Sequence, residues 1–148
     1  MALNNLSPIL DNLYLGNANA IYNSQIPNLS LTVNCTVDLS CNPQVETIRL
    51  PVDDDPSMVN LYLQYIESTD VLEKMHKHIT HGKPVLVHCM AGAQRSPALV
   101  ALYLMKYHGF TPDGAIDYIR IKRPIAFFSH VNFYEMLYKF YNKLKTIE

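Results

Sequence analysis

The sequence lacks features that would assign it to several common classes of protein. It has no tryptophan and only three cysteines, Cys35, Cys41 and Cys89. An odd number of cysteines, with no Cys-x-x-Cys pair beside histidines, excludes a disulfide scaffold and a zinc-binding cysteine cluster. At least one thiol is therefore free.

Long apolar runs and an excess of one charge are also absent. The longest apolar run, Ala98 to Met105, covers eight residues, whereas a membrane-spanning helix needs about 20. The N-terminus shows neither a secretory signal nor a transit peptide. The 12 Lys+Arg against 13 Asp+Glu give a net charge of -1, which predicts no nucleic acid or membrane partner. We expect a cytoplasmic protein, with nuclear access also compatible with the sequence.

What the chain does contain is typical of one folded globule. Of its 148 residues, 49% are hydrophobic and 17% are charged, and no linker, repeat or low-complexity tract interrupts them. We therefore expect residues 1–148 to form a single domain. No heptad pattern or apolar surface stripe indicates a dimer, so the oligomeric state stays open.

Short β-like runs alternate with helical patterns along the chain. The predicted strands are Leu13 to Gly16, Leu31 to Thr36, Thr47 to Val52 and Val85 to Cys89. The predicted helices are Leu61 to Ile79, Pro97 to Tyr107, one from Thr111 that ends before Pro124, and a last one starting near Ser129 to Asn132. This alternation predicts an α/β fold in which helices flank both faces of a central, mainly parallel sheet.

The loop between the apolar strand Val85-Leu86-Val87 and the second of these helices carries the most informative residues. It reads His88-Cys89-Met90-Ala91-Gly92-Ala93-Gln94-Arg95-Ser96. A loop that ends on a helix N-terminus presents backbone N–H groups without intrahelical acceptors. Gly92 permits the backbone to curl, and Arg95 offers a bidentate guanidinium. Residues Met90 to Arg95 are thus predicted to bind a phosphate group.

Cys89 opens this loop and is the candidate nucleophile. The field that attracts a phosphate also stabilises a thiolate, so we expect Cys89 to react as a thiolate. Ser96 is placed to donate its hydroxyl to the sulfur when Cys89 leaves. His88 points to the opposite face of its strand and is given a supporting role, bracing the loop rather than abstracting a proton.

The loop resembles the H-C-x-x-G-x-x-R-[ST] signature of the cysteine-dependent protein tyrosine phosphatases, and the chain is similar to a small dual-specificity phosphatase domain of the atypical or viral kind. Further matches are Ile9 to Asn17, Asn34-Cys35-Thr36, Leu50-Pro51-Val52-Asp53-Asp54 and Arg123-Pro124-Ile125-Ala126. The resemblance implies a mixed sheet with at least one non-parallel strand. Two departures, Gln94 for the usual Ser and Phe128-Ser129 for Pro-Asn, affect loop support and the outline of the pocket.

The leaving oxygen needs a general acid, and the run Asp53-Asp54-Asp55 supplies candidates. Repulsion among three adjacent carboxylates favours a proton on at least one of them. Alternation along the strand places Asp54 on the face opposite to Asp53 and Asp55. The resemblance to the family's Pro-Val-x-Asp pattern then selects Asp54.

Together these residues predict a phosphoric monoester hydrolase. Cys89 attacks the phosphorus, Arg95 and the loop N–H groups stabilise the oxygens, and Asp54 protonates the leaving group. Water then hydrolyses the phosphocysteine. We expect a phosphatase that acts on phosphotyrosine, and on phosphoserine or phosphothreonine, in proteins, with no metal ion or organic cofactor.

Three alternatives stay open at this point. Related cysteine phosphatases act on RNA 5′ ends or inositol lipids, although Met90, Ala91, Ala93 and Gln94 add no charge to the loop. A sulfur-transferring cysteine loop would need neither a general acid nor a phosphate-binding arginine. A non-catalytic module that binds phosphorylated proteins would gain little from an oxidisable thiol.

Overall fold

A five-stranded sheet forms the centre of the molecule. The structure, a computed structural model, describes residues 5–22 and 25–147. The strands are β1 (Leu6–Leu10), β2 (Leu13–Gly16), β3 (Leu31–Asn34), β4 (Glu46–Arg49) and β5 (Val85–His88). Their order across the sheet is β1-β2-β5-β3-β4. The four predicted strands are confirmed as β2 to β5 with somewhat different ends, and β1 is an additional strand.

Among the described strands, β1 alone runs against its neighbour. It pairs antiparallel with β2 across a turn in which Asn12 has a φ of 66°, and the remaining pairs are parallel. The mixed, mainly parallel sheet is therefore confirmed. Because β5 is the middle strand, Gly16 and Asn34 lie opposite His88 at the carboxyl ends of three parallel strands. Ligands of parallel sheets bind at this edge.

Helices occupy most of the second half of the described chain. They are α1 (Val59–Thr69), α2 (Val71–Thr80), α3 (Arg95–His108), α4 (Pro112–Lys122) and α5 (Tyr134–Ile147), with short 3-10 helices at Ala18–Tyr22 and Pro56–Met58. As predicted, α3 ends at Gly109, which has a φ of 71°, and the Thr111 hydroxyl accepts a hydrogen bond from the Gly114 N–H at the start of α4. No described helix is long and apolar enough to cross a membrane.

The pattern from Leu61 to Ile79, which predicts one helix, forms two. Asp70 separates α1 from α2 and has a φ of 53°. The Thr69 hydroxyl donates a hydrogen bond back to the Tyr65 carbonyl at 2.7 Å, and such side-chain bonds compete with regular helical bonding. The prediction of a continuous helix is therefore wrong at Asp70, although both halves are helical.

The larger apolar core lies on one face of the sheet. It joins Val85 and Val87 of β5 to side chains from all five α-helices, and every residue from Ser96 to Met105 of α3 is buried. Leu86 points to the opposite face, where it packs against side chains of the 3-10 helix Ala18–Tyr22. Helices thus cover both faces only when this short helix is counted.

Candidate active site

The loop between β5 and α3 is held in place by its carbonyl groups. Four consecutive carbonyls accept hydrogen bonds from outside the loop: Met90 from Ala18 N–H (2.9 Å), Ala91 and Gly92 from the Arg123 guanidinium (3.1 and 2.8 Å), and Ala93 from Phe127 N–H (2.7 Å). In a trans peptide the N–H points away from the C=O. The N–H groups that follow these carbonyls are therefore turned toward the inside of the loop, as an anion site requires.

Gly92 is the residue that lets the loop approach its neighbours so closely. Its φ is 68°, a left-handed value that side chains with a Cβ rarely adopt. A Cβ at this position would lie 2.6 Å from the Gly16 carbonyl oxygen and 2.6 Å from Nη2 of Arg123. Glycine is therefore required both by the backbone angle and by the space available.

Arg123, just after α4, supports the loop from behind. It is 1% exposed, and besides its bonds to the loop it donates from Nη1 to the Ser7 hydroxyl on β1 at 3.0 Å. Burial lowers the pKa of Arg123, whereas the charge of nearby Cys89 raises it. A buried guanidinium within electrostatic reach of Cys89 stabilises a negative charge on the sulfur.

Cys89 and Ser96 meet at the bottom of the loop. Cys89 is 2% exposed, and its Sγ lies 3.0 Å from Oγ of the fully buried Ser96. This distance is well within range of a hydrogen bond to sulfur. The Ser96 hydroxyl is thus placed to donate to a thiolate, as the sequence predicts.

Arg95, the first residue of α3, directs its guanidinium toward the loop that follows β4. Its Nη1 donates to the Val52 carbonyl at 2.9 Å, and its buried Nε has no hydrogen-bond acceptor among the described residues. The Tyr62 hydroxyl donates to the Arg95 carbonyl at 2.6 Å. The backbone of Arg95 is therefore fixed, while one buried donor of its side chain is unused.

His88 is the last residue of β5 and is fully buried. Burial lowers the pKa of His88 to about 4, so its ring is neutral at physiological pH. Its carbonyl accepts a hydrogen bond from the Cys35 N–H at 2.8 Å. Burial also raises the pKa of the Cys35 thiol to about 12. Both side chains are therefore uncharged at neutral pH and contribute to the packing beneath Cys89.

Two of the three adjacent aspartates, Asp54 and Asp55, accept hydrogen bonds from different partners. The Asp55 carboxylate accepts a hydrogen bond from the Ser57 N–H at 2.8 Å, which lowers the pKa of Asp55 and caps the 3-10 helix. Asp54 instead accepts a hydrogen bond from Nδ2 of Asn132 at 2.7 Å. Asn132 is itself bonded to Gln94 of the loop. Of the two hydrogen-bonded carboxylates, that of Asp54 is therefore the one linked to the phosphate-binding loop.

Comparison with known sequences gives the family. The family model "Dual specificity phosphatase, catalytic domain" matches residues 13–143. The chain belongs to this family. Two relatives illustrate its range: mouse dual specificity protein phosphatase 14 is 30% identical over 126 residues, and the putative tyrosine phosphatase 123R of invertebrate iridescent virus 6 is 34% identical over 122 residues.

The extent of these matches differs between relatives. The match to mouse phosphatase 14 covers 81% of this chain but 61% of that protein, so the chain spans about three-fifths of the length of that relative. The match to the viral protein covers 80% of both chains.

Solved structures of dual-specificity phosphatases share the whole fold. The crystal structure of human DUSP28 has a TM-score of 0.84 and 28% sequence identity, and the alignment covers 97% of both chains. A mouse putative dual specificity phosphatase, solved in complex with zinc tungstate, has a TM-score of 0.81 and 27% identity over 99% of this chain and 92% of that one. The mixed sheet and its flanking helices are therefore those of the family.

Within this phosphatase domain, the structure brings the predicted site residues together. Met90 to Arg95 form the loop, with Cys89 and Ser96 at its base and His88 buried below, and Asp54 reaches it through Asn132. The sequence alone predicts no role for Arg123, Asn132 or Tyr62. Arg123 lies in the run Arg123-Pro124-Ile125-Ala126 that carried part of the resemblance, which was the one available signal for it.

Proposed function

We propose that this domain is a cysteine-dependent protein phosphatase. Its substrates are proteins that carry phosphotyrosine, and phosphoserine or phosphothreonine, and its place of action is the cytoplasm with access to the nucleus. Cys89 is the nucleophile, Arg95 and the loop N–H groups bind the phosphoryl oxygens, Asp54 is the general acid, and Ser96 assists the departure of the sulfur. The sequence predicts that His88 braces the loop by hydrogen bonding, but neither of its buried ring nitrogens has a hydrogen-bond partner among the described residues, so its support for the loop is limited to packing.

The observation that carries this proposal is the unused donor of Arg95, which ends the loop that Cys89 opens. Buried N–H groups in folded proteins are nearly always hydrogen-bonded, yet the Arg95 Nε has no acceptor among the described residues. The N–H groups of residues 91–94 are directed inward as well, because the carbonyls before them are bonded outward. A tetrahedral oxyanion such as phosphate supplies acceptors for all of them at once. The tungstate in the mouse structure is an oxyanion of this shape.

The reaction follows from this placement in two steps. In the first, the Cys89 thiolate attacks phosphorus, the bond from phosphorus to the leaving oxygen breaks, and that oxygen takes a proton from Asp54. In the second, the Asp54 carboxylate takes a proton from water, the resulting oxygen attacks phosphorus, and the sulfur–phosphorus bond breaks. The Ser96 hydroxyl, 3.0 Å from Sγ, donates a hydrogen bond to the departing thiolate.

The first test is hydrolysis of para-nitrophenyl phosphate by the purified chain. We expect turnover by the wild-type protein, none by Cys89→Ser, and nearly full turnover by the control Cys41→Ser, because Cys41 is partly exposed and bonded to Arg49 and Asn34 instead of the loop. An inactive wild-type protein, or a fully active Cys89→Ser variant, would overturn the proposal.

The second test concerns the class of substrate. Peptides with phosphotyrosine, phosphoserine or phosphothreonine are compared with a phosphoinositide and with RNA that carries a 5′ phosphate. The uncharged side chains of Met90, Ala91 and Ala93 at the loop lead us to expect a higher kcat/KM for the phosphopeptides. A higher kcat/KM for the lipid or the RNA would contradict the assignment to protein substrates.

A further inference from the structure

The side chain of Gln94 links the phosphate-binding loop to the segment before α5. Gln94 is 7% exposed. Its Nε2 donates to the His130 carbonyl at 2.8 Å, and its Oε1 accepts from the Asn132 N–H at 3.0 Å. Both ends of one buried amide are therefore used to hold the backbone on either side of Val131.

The side chain of Asn132 continues this link to the loop after β4. Its Nδ2 donates to Oδ1 of Asp54 at 2.7 Å, while its own backbone is held by Gln94. The neighbouring Phe133 is buried and packs edge-on against Tyr62 with ring centroids 5.3 Å apart. Asn132 is thus a fixed donor, whereas the Asp54 side chain that it contacts is exposed.

We propose that Asn132, held by Gln94, is a positioning residue for the general acid Asp54. The inference rests on the proposed phosphatase function. An exposed aspartate samples several rotamers, and a single hydrogen bond from a fixed donor selects one of them. Because the amide N–H occupies Oδ1, the proton for the leaving group is carried on Oδ2.

The same link sets the distance between the acid and the phosphate. Gln94 is adjacent in sequence to Arg95, and Arg95 in turn donates to the Val52 carbonyl, two residues before Asp54. The loop after β4 is therefore attached to the phosphate-binding loop at two points. Holding Asp54 at a fixed distance from the phosphate-binding loop avoids the loss of rate that follows when a catalytic group is displaced by about 1 Å.

The test uses the dependence of rate on the leaving group. Phenyl phosphate has a poor leaving group that needs a proton, whereas dinitrophenyl phosphate has a good one that does not. Because Asp54 also serves in the second step, which is the same for both substrates, the comparison uses kcat/KM, which reports the first step. We expect Asn132→Ala to lower kcat/KM for phenyl phosphate by about 10- to 100-fold and to change kcat/KM for dinitrophenyl phosphate less than about threefold.

Two further variants make the test specific. Asn132→Leu keeps a similar side-chain size and the backbone N–H but loses the donor without adding a charge, so we expect the same selective loss even if Asn132→Ala is less stable. Asn142→Ala, at an exposed position of α5, is the matched control and should behave as wild type. In an Asp54→Ala background, Asn132→Ala should have no further effect on phenyl phosphate, because the residue acts through Asp54.

The outcomes separate this inference from the proposed function. Equal losses of kcat/KM on both substrates, or a loss of kcat/KM in the Asp54→Ala background as large as in wild type, would overturn the positioning role while Cys89-dependent turnover still stands. Turnover that is unaffected by Cys89→Ser would instead overturn the phosphatase mechanism itself.

Discussion

Three adjacent aspartates show how strongly the surroundings of one side chain determine its use. Asp55 is occupied as the cap of a 3-10 helix, and its pKa is lowered by the hydrogen bonds from Ser57, so it holds its proton poorly. Asp54 faces an amide donor beside the phosphate-binding loop. This link to the loop, through Asn132 and Gln94, supports the proposal that Asp54 is the acid in addition to the family pattern.

Replacing Asp54 tests this choice. We expect Asp54→Ala to lower kcat for phenyl phosphate by about 100- to 10,000-fold with little change in KM, because general acid catalysis contributes rate and not ground-state binding. Asp53→Ala, at an exposed neighbouring position, is the control and should retain most activity. Steady-state kinetics on both variants provide the measurement. A large loss of kcat in Asp53→Ala, with most activity retained in Asp54→Ala, would show that the acid is misassigned.

His88 gives a second expectation at the scale of one residue. The unfolded chain takes up a proton on this side chain near its ordinary pKa of 6.5, whereas the folded protein does so only near 4. As pH falls from 6.5 to 4, the unfolded state therefore gains a proton that the folded state lacks, and the free energy of unfolding decreases. The decrease is about 3 kcal/mol at about 1.4 kcal/mol for each pH unit.

Urea unfolding between pH 7 and 4 measures this effect. We expect His88→Asn to lose that part of the pH dependence, while His81→Asn, at an exposed position after α2, keeps the wild-type slope. An unchanged slope in His88→Asn would show that burial of His88 is not its cause.

The sequence allows some site residues to be predicted and not others, for a simple reason. Cys89, Arg95 and Ser96 lie within eight consecutive residues that span the loop and the start of α3, so local spacing is enough to bring them together. The bond from Arg123 to Gly92 joins residues 31 positions apart, and that from Asn132 to Asp54 joins residues 78 apart. Such pairs depend on the tertiary fold, which periodicity does not specify.

At the scale of elements, helices were predictable where caps and apolar faces agreed. Gly109 and Thr111 mark the end of α3 and the start of α4 as expected. The helix break at Asp70 is not predicted by the sequence because the apolar pattern continues through it. In the structure, the Thr69 hydroxyl is bonded to the Tyr65 carbonyl and so competes with regular helical hydrogen bonding. α5 begins at Tyr134, later than predicted, because the segment before it is bonded to Gln94 instead of to a helical turn.

Two glycines with nearly the same φ allow the effect of backbone strain to be measured apart from the effect of steric crowding at the Cβ. Gly92 and Gly109 have φ values of 68° and 71°, but a Cβ at Gly109 meets nothing within 4 Å, whereas a Cβ at Gly92 meets the Gly16 carbonyl and Arg123. We expect Gly109→Ala to cost about 1 kcal/mol of stability and to leave kcat unchanged. Gly92→Ala should lower kcat at least about 100-fold.

Thermal unfolding and steady-state kinetics on both variants provide the comparison. If Gly92→Ala had the activity of Gly109→Ala, the close packing of the loop against β2 and Arg123 would not be needed for catalysis.

At the scale of the whole molecule, one core connects nearly every element. Side chains of all five α-helices and of the sheet belong to the same apolar cluster. The side chain of Arg123, the residue after α4, is hydrogen-bonded both to Ser7 on β1 and to Gly92 in the phosphate-binding loop. We therefore propose that residues 1–148 behave as a single domain. A domain with one core is expected to unfold cooperatively.

Coincident unfolding curves would establish this behaviour. We expect far-ultraviolet circular dichroism, tyrosine fluorescence and residual phosphatase activity to give the same midpoint in urea. Activity lost well before the helical signal would instead show that the site unfolds as a separate unit.

The central claim is that Cys89 carries the phosphoryl group during turnover. Rapid acid quenching of the chain during hydrolysis of an aryl phosphate, followed by mass spectrometry of its peptides, tests it directly. We expect a gain of one phosphoryl group on the peptide that contains Cys89. The adduct should increase in Ser96→Ala, where thiolate departure is slower, and be absent in Cys89→Ser. Turnover without that adduct, or a phosphoryl group on any other residue, would contradict it.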